Sequence, residues 1–208
     1  MYWARKGKFL ALFMTLCAAI SACGNGELAS AEPEKVKPTY DCSVKLNSSI
    51  EELICKDSAL AALDQKMAEV FKAASQTEKA AQDKYFKARQ RGWIKGRNEC
   101  WKEQDKPLCV AGSYQRRMLE LQMHYGLASV TAETTYLCDG AEVTVAYFDT
   151  DPPAALARYQ DQESILTISR TASGSKYVGP GMSIWEHQGE AKVVWGYGTT
   201  EMHCKVRS

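Results

Sequence analysis

Val143-Thr144-Val145-Ala146-Tyr147 sets a large apolar side chain at every second position, and that period decides the fold of the second half of the chain. Successive side chains of a strand point to opposite faces, so a step of two gives the strand one buried face. The alternation continues through Leu166-Thr167-Ile168, through Met182 and Ile184, and through Val193 and Trp195. Turn-forming groups separate these runs: Asp139-Gly140, Asp151-Pro152-Pro153, Ser173-Gly174, Gly179-Pro180-Gly181 and Gly196-Tyr197-Gly198. Short alternating runs divided by such turns predict the hairpins of a compact antiparallel barrel. Cys138 lies near its start and Cys204 near its end, so a bond between them would tie the first strand to the last. Closing so long a loop stabilises a fold by about 4 kcal/mol at most in the chain-entropy view.

Upstream, from Ser48 to about Tyr125, the period becomes helical. Ser48-Ser49-Ile50-Glu51 has the form of a capping box, a hydroxyl and a carboxylate placed to satisfy free N–H groups at a helix start. Leu60, Leu63, Met67, Val70, Phe71 and Ala74 then recur at steps of three and four. Phe86, Trp93 and Trp101 make a sparser stripe on a second helix, and Ala111, Tyr114, Met118, Leu121 and Tyr125 a cleaner one on a third. Pro107 and its polar neighbours separate these two. Three helices of this size have a core that is marginal alone. The expected fold class is α+β in two domains, a small disulfide-stapled three-helix bundle (residues 40–127) followed by the barrel (134–208). The helical part is expected to be an independent, removable unit.

The chain begins with the signs of export. Arg5, Lys6 and Lys8 form a positive segment, and Phe9 to Ile20 an apolar one of signal-peptide length, short for a membrane span. Ile20-Ser21-Ala22-Cys23 resembles a bacterial lipobox, which implies a signal peptide over 1–22 and acylation of Cys23. The plainer alternative is cleavage near Ala22 that leaves Cys23 a free thiol. Gly24, where an Asp would imply inner-membrane retention, points by resemblance to an outer membrane lipoprotein facing the periplasm. Residues 23–39, with Gly24, Gly26, Ser30, Pro33 and Pro38, have too little apolar surface for a core and read as a flexible tether.

Without Cys17 and Cys23, six cysteines remain: Cys42, Cys55, Cys100, Cys109, Cys138 and Cys204. In an exported chain an even set is a disulfide framework. Loop length favours Cys42–Cys55 and Cys100–Cys109, although all four fall at one end of an up-down-up bundle and crossed pairs stay open. No Cys-x-x-Cys pair occurs, and His124, His187 and His203 are scattered, so neither a metal nor a cofactor is expected. Residues 39–125 hold fifteen Lys+Arg and twelve Asp+Glu, a net of +3 with the signs interspersed. That describes a solvated surface, and nucleic acid is not an expected partner. Arg91 and Arg97 belong to this reading, and Trp93 on a helix stripe reads as core. A hydrolase is not expected either: Ser173 has no Gly-x-Ser-x-Gly setting, and no motif places a histidine beside it.

Ala172-Ser173-Gly174-Ser175-Lys176-Tyr177, followed by Trp185-Glu186-His187-Gln188-Gly189-Glu190-Ala191, resembles the inhibitory motifs of the MliC/PliC family. With Tyr136-Leu137-Cys138 and Cys204, the resemblance covers about residues 134–208. It implies an eight-stranded antiparallel barrel and an inhibitor of c-type lysozyme that inserts a Ser-Gly-x-x-Tyr loop into the enzyme cleft. On this chain it assigns the loop to Ser173, Gly174, Lys176 and Tyr177, and a second inhibitory strand to Trp185, His187, Gln188 and Gly189. Many relatives have lysine where Gln188 stands, so the charge of that contact differs here. Residues 134–208 carry nine Asp+Glu and six Lys+Arg, a net of −3 that would steer the barrel toward a basic lysozyme.

Asp41-Cys42, Glu52-Leu53-Ile54-Cys55, Ala61-Ala62-Leu63-Asp64 and Arg91-Gly92-Trp93-Ile94-Lys95-Gly96-Arg97 with Cys100 resemble the LprI-like module of exported bacterial proteins. Some of those proteins are associated with lysozyme inhibition. The expected partners are a host c-type lysozyme and, through lipid, a membrane, with homodimerisation left open. The competing reading is a non-catalytic envelope lipoprotein that serves binding or assembly without inhibiting lysozyme.

Overall fold

Ser48, Asp57, Thr77 and Asp105 decide where helices begin. The computed structural model describes residues 36–207; the expected signal peptide, Cys23 and most of the expected tether lie outside the described residues. Ser48 Oγ accepts from Glu51 N–H at 3.2 Å, opening α1 (Ser49–Lys56). The Glu51 carboxylate reaches back to Asn47 N–H at 2.8 Å, completing the capping box one residue early. Asp57 is extended: its N–H donates to the Leu53 carbonyl, while its carboxylate accepts from Ala59 and Leu60 N–H. One residue therefore ends α1 and starts α2 (Ser58–Ser75). Thr77 caps the short α3 (Glu78–Gln82) in the same way.

α4 (Phe86–Asn98) runs into a 3₁₀ turn (Glu99–Lys102), and α5 (Lys106–His124) starts at Asp105 with Pro107 in its first turn. The expected three helices are thus corrected to five. Caps that satisfy N–H groups inside one apolar stripe allow the chain to bend without losing hydrogen bonds. Trp101 is corrected as well: it sits in the 3₁₀ turn and is about half exposed, off the stripe of α4. The stripe of α5 is buried, with Tyr114 and Leu121 fully enclosed.

The helical core is held by a buried polar chain. Tyr114 OH donates to Asp64 Oδ1 at 2.7 Å and accepts from Arg97 Nη1 at 2.7 Å. Asp64 Oδ2 takes two further bonds from Thr39, its N–H at 2.8 Å and its hydroxyl at 2.6 Å. Arg97, expected on the solvated surface, is corrected to buried, where it also lies over the rings of Trp93 and Tyr114, and Trp93 Nε1 donates to Ser113. A buried charge is tolerable only when paired and hydrogen-bonded, and each end of this chain is. Burial raises the Tyr114 phenol well above its ordinary range, so it remains a donor. Cys42–Cys55 and Cys100–Cys109 are bonded, the uncrossed arrangement.

The second half is a closed barrel of eight antiparallel strands in chain order. These are β1 (Val130–Cys138), β2 (Ala141–Phe148), β3 (Ala154–Tyr159), β4 (Gln162–Ser169), β5 (Ser175–Gly179), β6 (Met182–His187), β7 (Glu190–Trp195) and β8 (Met202–Val206). Cys138 of β1 lies directly opposite Cys204 of β8 and is bonded to it, so the disulfide closes the barrel seam. Val143, Val145, Leu166, Ile184 and Val193 fill the interior.

Two strands are buried on both faces. Ala155 and Ala157 of β3 face the barrel interior. Ala154 and Leu156 of β3, with Ala146 and Phe148 of β2, pack against Leu119 and Met123 of α5. Ala146, on the solvent face by simple alternation, is therefore enclosed. Burying a large apolar side chain is worth roughly 1.5–3 kcal/mol, so this seam holds the helical region to the barrel firmly.

Candidate functional site

The loop from β4 to β5 folds back on β6. Gly174 has a φ of +69°, and a Cβ built there would fall 2.0 Å from the Glu186 carbonyl oxygen. No other residue fits this approach without moving the loop. Trp185 Nε1 donates to the Ser173 carbonyl at 2.9 Å, and Thr171 Oγ1 donates to the same oxygen at 3.1 Å. The backbone of Ser173 is thereby held while its side chain stays exposed. At the adjacent hairpin, Gln188 (φ +50°) and Gly189 (φ +82°) form a two-residue turn of left-handed geometry, which suits the strand twist.

The barrel register then assembles an outward row across four strands. Lys176 pairs with Trp185, Trp185 with Lys192, and Lys192 with His203. Cross-strand partners share a face, so these side chains lie side by side. Lys192 Nζ is 5.8 Å from the Trp185 ring centre and 3.4 Å from Glu201 Oε1. His203 Nε2 is 3.7 Å from the same carboxylate oxygen.

A cavity of about 690 Å³ is lined by Ser173, Trp185, His187 and Gln188 together with Lys192 and His203. Four of the sequence-identified residues thus meet at one place. Lys192 and His203 were not singled out from sequence. A two-residue turn at Gln188-Gly189 pairs Trp185 with Lys192, and that was the available signal; the β7–β8 pairing had none.

Lys176 and Tyr177 do not line this cavity. Lys176 stands beside Trp185 on the outer row, whereas Tyr177 turns inward, half-buried, with its ring 5.4 Å from that of Tyr147. Burial raises the Tyr177 phenol above its ordinary range. Also facing inward, Glu186 accepts from Tyr136 OH at 2.7 Å and from Tyr147 OH. Burial holds the Glu186 carboxyl above the usual carboxylate range, against the opposing pull of the Tyr136 bond. Neither His187 nor His203 hydrogen-bonds to Ser173 among the described residues. The outer face offers an exposed hydroxyl, an amide and lysine cations, a set suited to an acidic, hydrogen-bonding surface.

Residues 136–202 match the family described as membrane-bound lysozyme-inhibitor of c-type lysozyme, MliC, and residues 42–125 match the family described as lysozyme inhibitor LprI. The chain joins an LprI-like region to an MliC-like region. The first spans α1 to α5, and the second includes Ser173, Trp185, His187, Gln188 and Lys192 of the cavity above but stops short of His203. Both families are inhibitors by description, not enzymes. The proteins named Lipoprotein LprI of Mycobacterium bovis and of Mycobacterium tuberculosis are each 27% identical over 177 residues, covering 84% of this chain and 88% of the relative. A match of that length extends beyond the LprI-like region into the barrel.

Proposed function

We propose that the protein is an envelope lipoprotein that inhibits c-type lysozyme, its MliC-like region inserting the exposed Ser173-Gly174 turn into the active-site cleft, with Ser175 to Tyr177, expected in the loop, forming the start of β5 behind it. The observation that carries this reading is the meeting of Ser173, His187 and Gln188 with a lysine-bearing row on one exposed cavity, in a region matched to a lysozyme-inhibitor family.

The chemistry is complementary. In a c-type lysozyme the general-acid carboxyl has a raised pKa while its partner carboxylate is ionised. The Ser173 hydroxyl donates and accepts, so it pairs with either state without adding charge. Trp185 holds the Ser173 backbone, which lowers the entropy lost on docking. Tyr177 acts from inside, as the root of the loop. Gln188 hydrogen-bonds at the turn, and Lys192 brings positive charge to the same face. The net −3 of the barrel favours approach to a basic enzyme, while the lysines act at contact range. Cys23 carries the lipid that anchors the protein in the outer membrane, facing the periplasm.

The test uses the full chain and its Gly174→Ala variant in a lysozyme turbidity assay. Wild type inhibits. The variant loses most inhibition because the loop must leave β6, while circular dichroism remains that of a folded barrel. Full inhibition by a folded Gly174→Ala protein removes the loop from the mechanism.

A further inference from the structure

A second cleft lies between the helical region and the barrel. It has a volume of about 670 Å³, within the range of small-molecule sites, and is lined from both regions. Lys79 of α3 and Arg116 and Arg117 of α5 face Leu156, Ser164 and Ile165 of the barrel across it.

Its charges are unevenly satisfied. Asp83 is taken by Tyr125 OH and Arg89, Glu120 by Arg117, and Glu163 by Arg158 and His124. Every carboxylate in the wall is therefore engaged. By contrast, Lys79 and Arg116 form no ion pair among the described residues. Arg117 is the stronger observation. Its side chain is 93% buried, Nε donates to Gln90 at 3.0 Å and Nη1 to Glu120 at 2.9 Å, yet Nη2 has no hydrogen-bond partner among the described residues. A buried guanidinium edge without an acceptor is costly, and nearly all such groups in folded proteins are satisfied.

We infer that this cleft is a binding site, separate from the β5–β8 face, for a small ligand carrying one oxyanion, a carboxylate or a phosphate, on an uncharged body. Lys79 and Arg116 take the oxyanion, Arg116 with the planar fork that fits such groups, and the bound anion also offsets the charge of the nearby Arg117, whose own Nε and Nη1 are already committed. Leu156 and Ile165 supply an apolar floor for the body, with the Ser164 hydroxyl beside them. With the three wall carboxylates already paired, the two unpaired cations suit a ligand with a single anionic group. Because the walls come from α5 and β4, occupancy also ties the two regions together.

The test is calorimetric titration of the folded, disulfide-bonded protein with three probes: N-acetylmuramic acid, N-acetylglucosamine 1-phosphate and N-acetylglucosamine. The first two share an oxyanion on a similar ring, and the third lacks one. The expected result is binding of at least one of the first two and none of the third, with the binder naming the source as carboxylate or phosphate. Arg116→Gln and Lys79→Gln, both at exposed positions, should each weaken binding about tenfold while leaving lysozyme inhibition unchanged. Arg117→Gln removes the buried charge beside the cleft and should also weaken binding, with a melting curve to verify folding. Silence from both anionic probes, equal binding of the uncharged sugar, or unchanged affinity in Arg116→Gln and Lys79→Gln overturns the site.

Discussion

Trp185 Nε1 donates to the carbonyl oxygen of Ser173 at 2.9 Å, so the indole that forms part of the outer face also holds the loop that precedes β5. Residues twelve apart in sequence are thereby one mechanical unit. Ser173→Ala removes only the exposed hydroxyl. A hydrogen bond to a charged group is worth about 1.5–3 kcal/mol, so inhibition should weaken roughly ten- to a hundredfold with little change in melting temperature. Trp185→Phe keeps a ring beside Lys192 but leaves the Ser173 carbonyl with Thr171 as its remaining donor. Its effect should appear as faster amide exchange in residues 171–175 together with weaker inhibition.

The charge of the outer face can be tuned in both directions. Gln188→Lys adds a cation at the hairpin tip and should strengthen inhibition, and at φ +50° lysine carries the same backbone cost as the glutamine it replaces. Lys192→Gln removes a cation from the same cavity and should weaken it. Inhibition constants at two salt concentrations verify the electrostatic origin, since the difference between variants should shrink as salt rises. Identical constants for both variants would mean that the face does not meet lysozyme.

Glu186 gives the barrel a definite pH dependence. Its carboxyl is held above the ordinary value of 4.5 by burial, so the folded state binds this proton more tightly than the unfolded chain. The resulting stabilisation is present below the unfolded pKa and is lost as pH rises through the folded one. Asp83 acts in the opposite sense, since the bond from Tyr125 and its other contacts lower its pKa. Glu186→Gln keeps an acceptor for Tyr136 and removes the titration. Its melting temperature relative to wild type should therefore increase as pH rises from about 4.5 toward neutrality. A difference independent of pH would contradict this account.

Tyr114→Phe tests the buried chain of the helical region. It strips one partner from both Asp64 Oδ1 and Arg97 Nη1, which lie 3.8 Å apart and can move toward direct contact. The expected loss is about 1–3 kcal/mol in urea unfolding, with secondary structure retained.

Cys23→Ser tests the anchor. The variant should move from the membrane to the soluble fraction, and the purified protein should inhibit as before. Unchanged membrane partition would sink the lipid assignment.

Much of this protein was legible in its residues because the signals are local. The alternation at Val143, Val145 and Tyr147, the stripe from Ala111 to Tyr125, and the Ser48 and Pro107 signals each act within a few residues of chain. Cys138 and Cys204 lie near the two ends of the barrel, which pointed to their bond, whereas loop length favoured Cys42–Cys55 and Cys100–Cys109 but left crossed pairs open until the structure showed the uncrossed bonds. The helix breaks at Asp57 and Thr77 were missed because an apolar stripe can continue across a capped bend.

Sequence by itself thus determined a helical half and an alternating half, joined in one disulfide-bonded chain. Tertiary structure alone decided that α5 covers the outer faces of β2 and β3, enclosing Ala146 and Leu156. It also decided that Tyr177 points inward and Lys192 and His203 outward, beside Trp185, and that Arg117 is enclosed beside the seam. The reason is one of range. Periodicity states that a strand has two faces, but which face is covered and which residues stand opposite depend on register and docking between segments far apart in the chain.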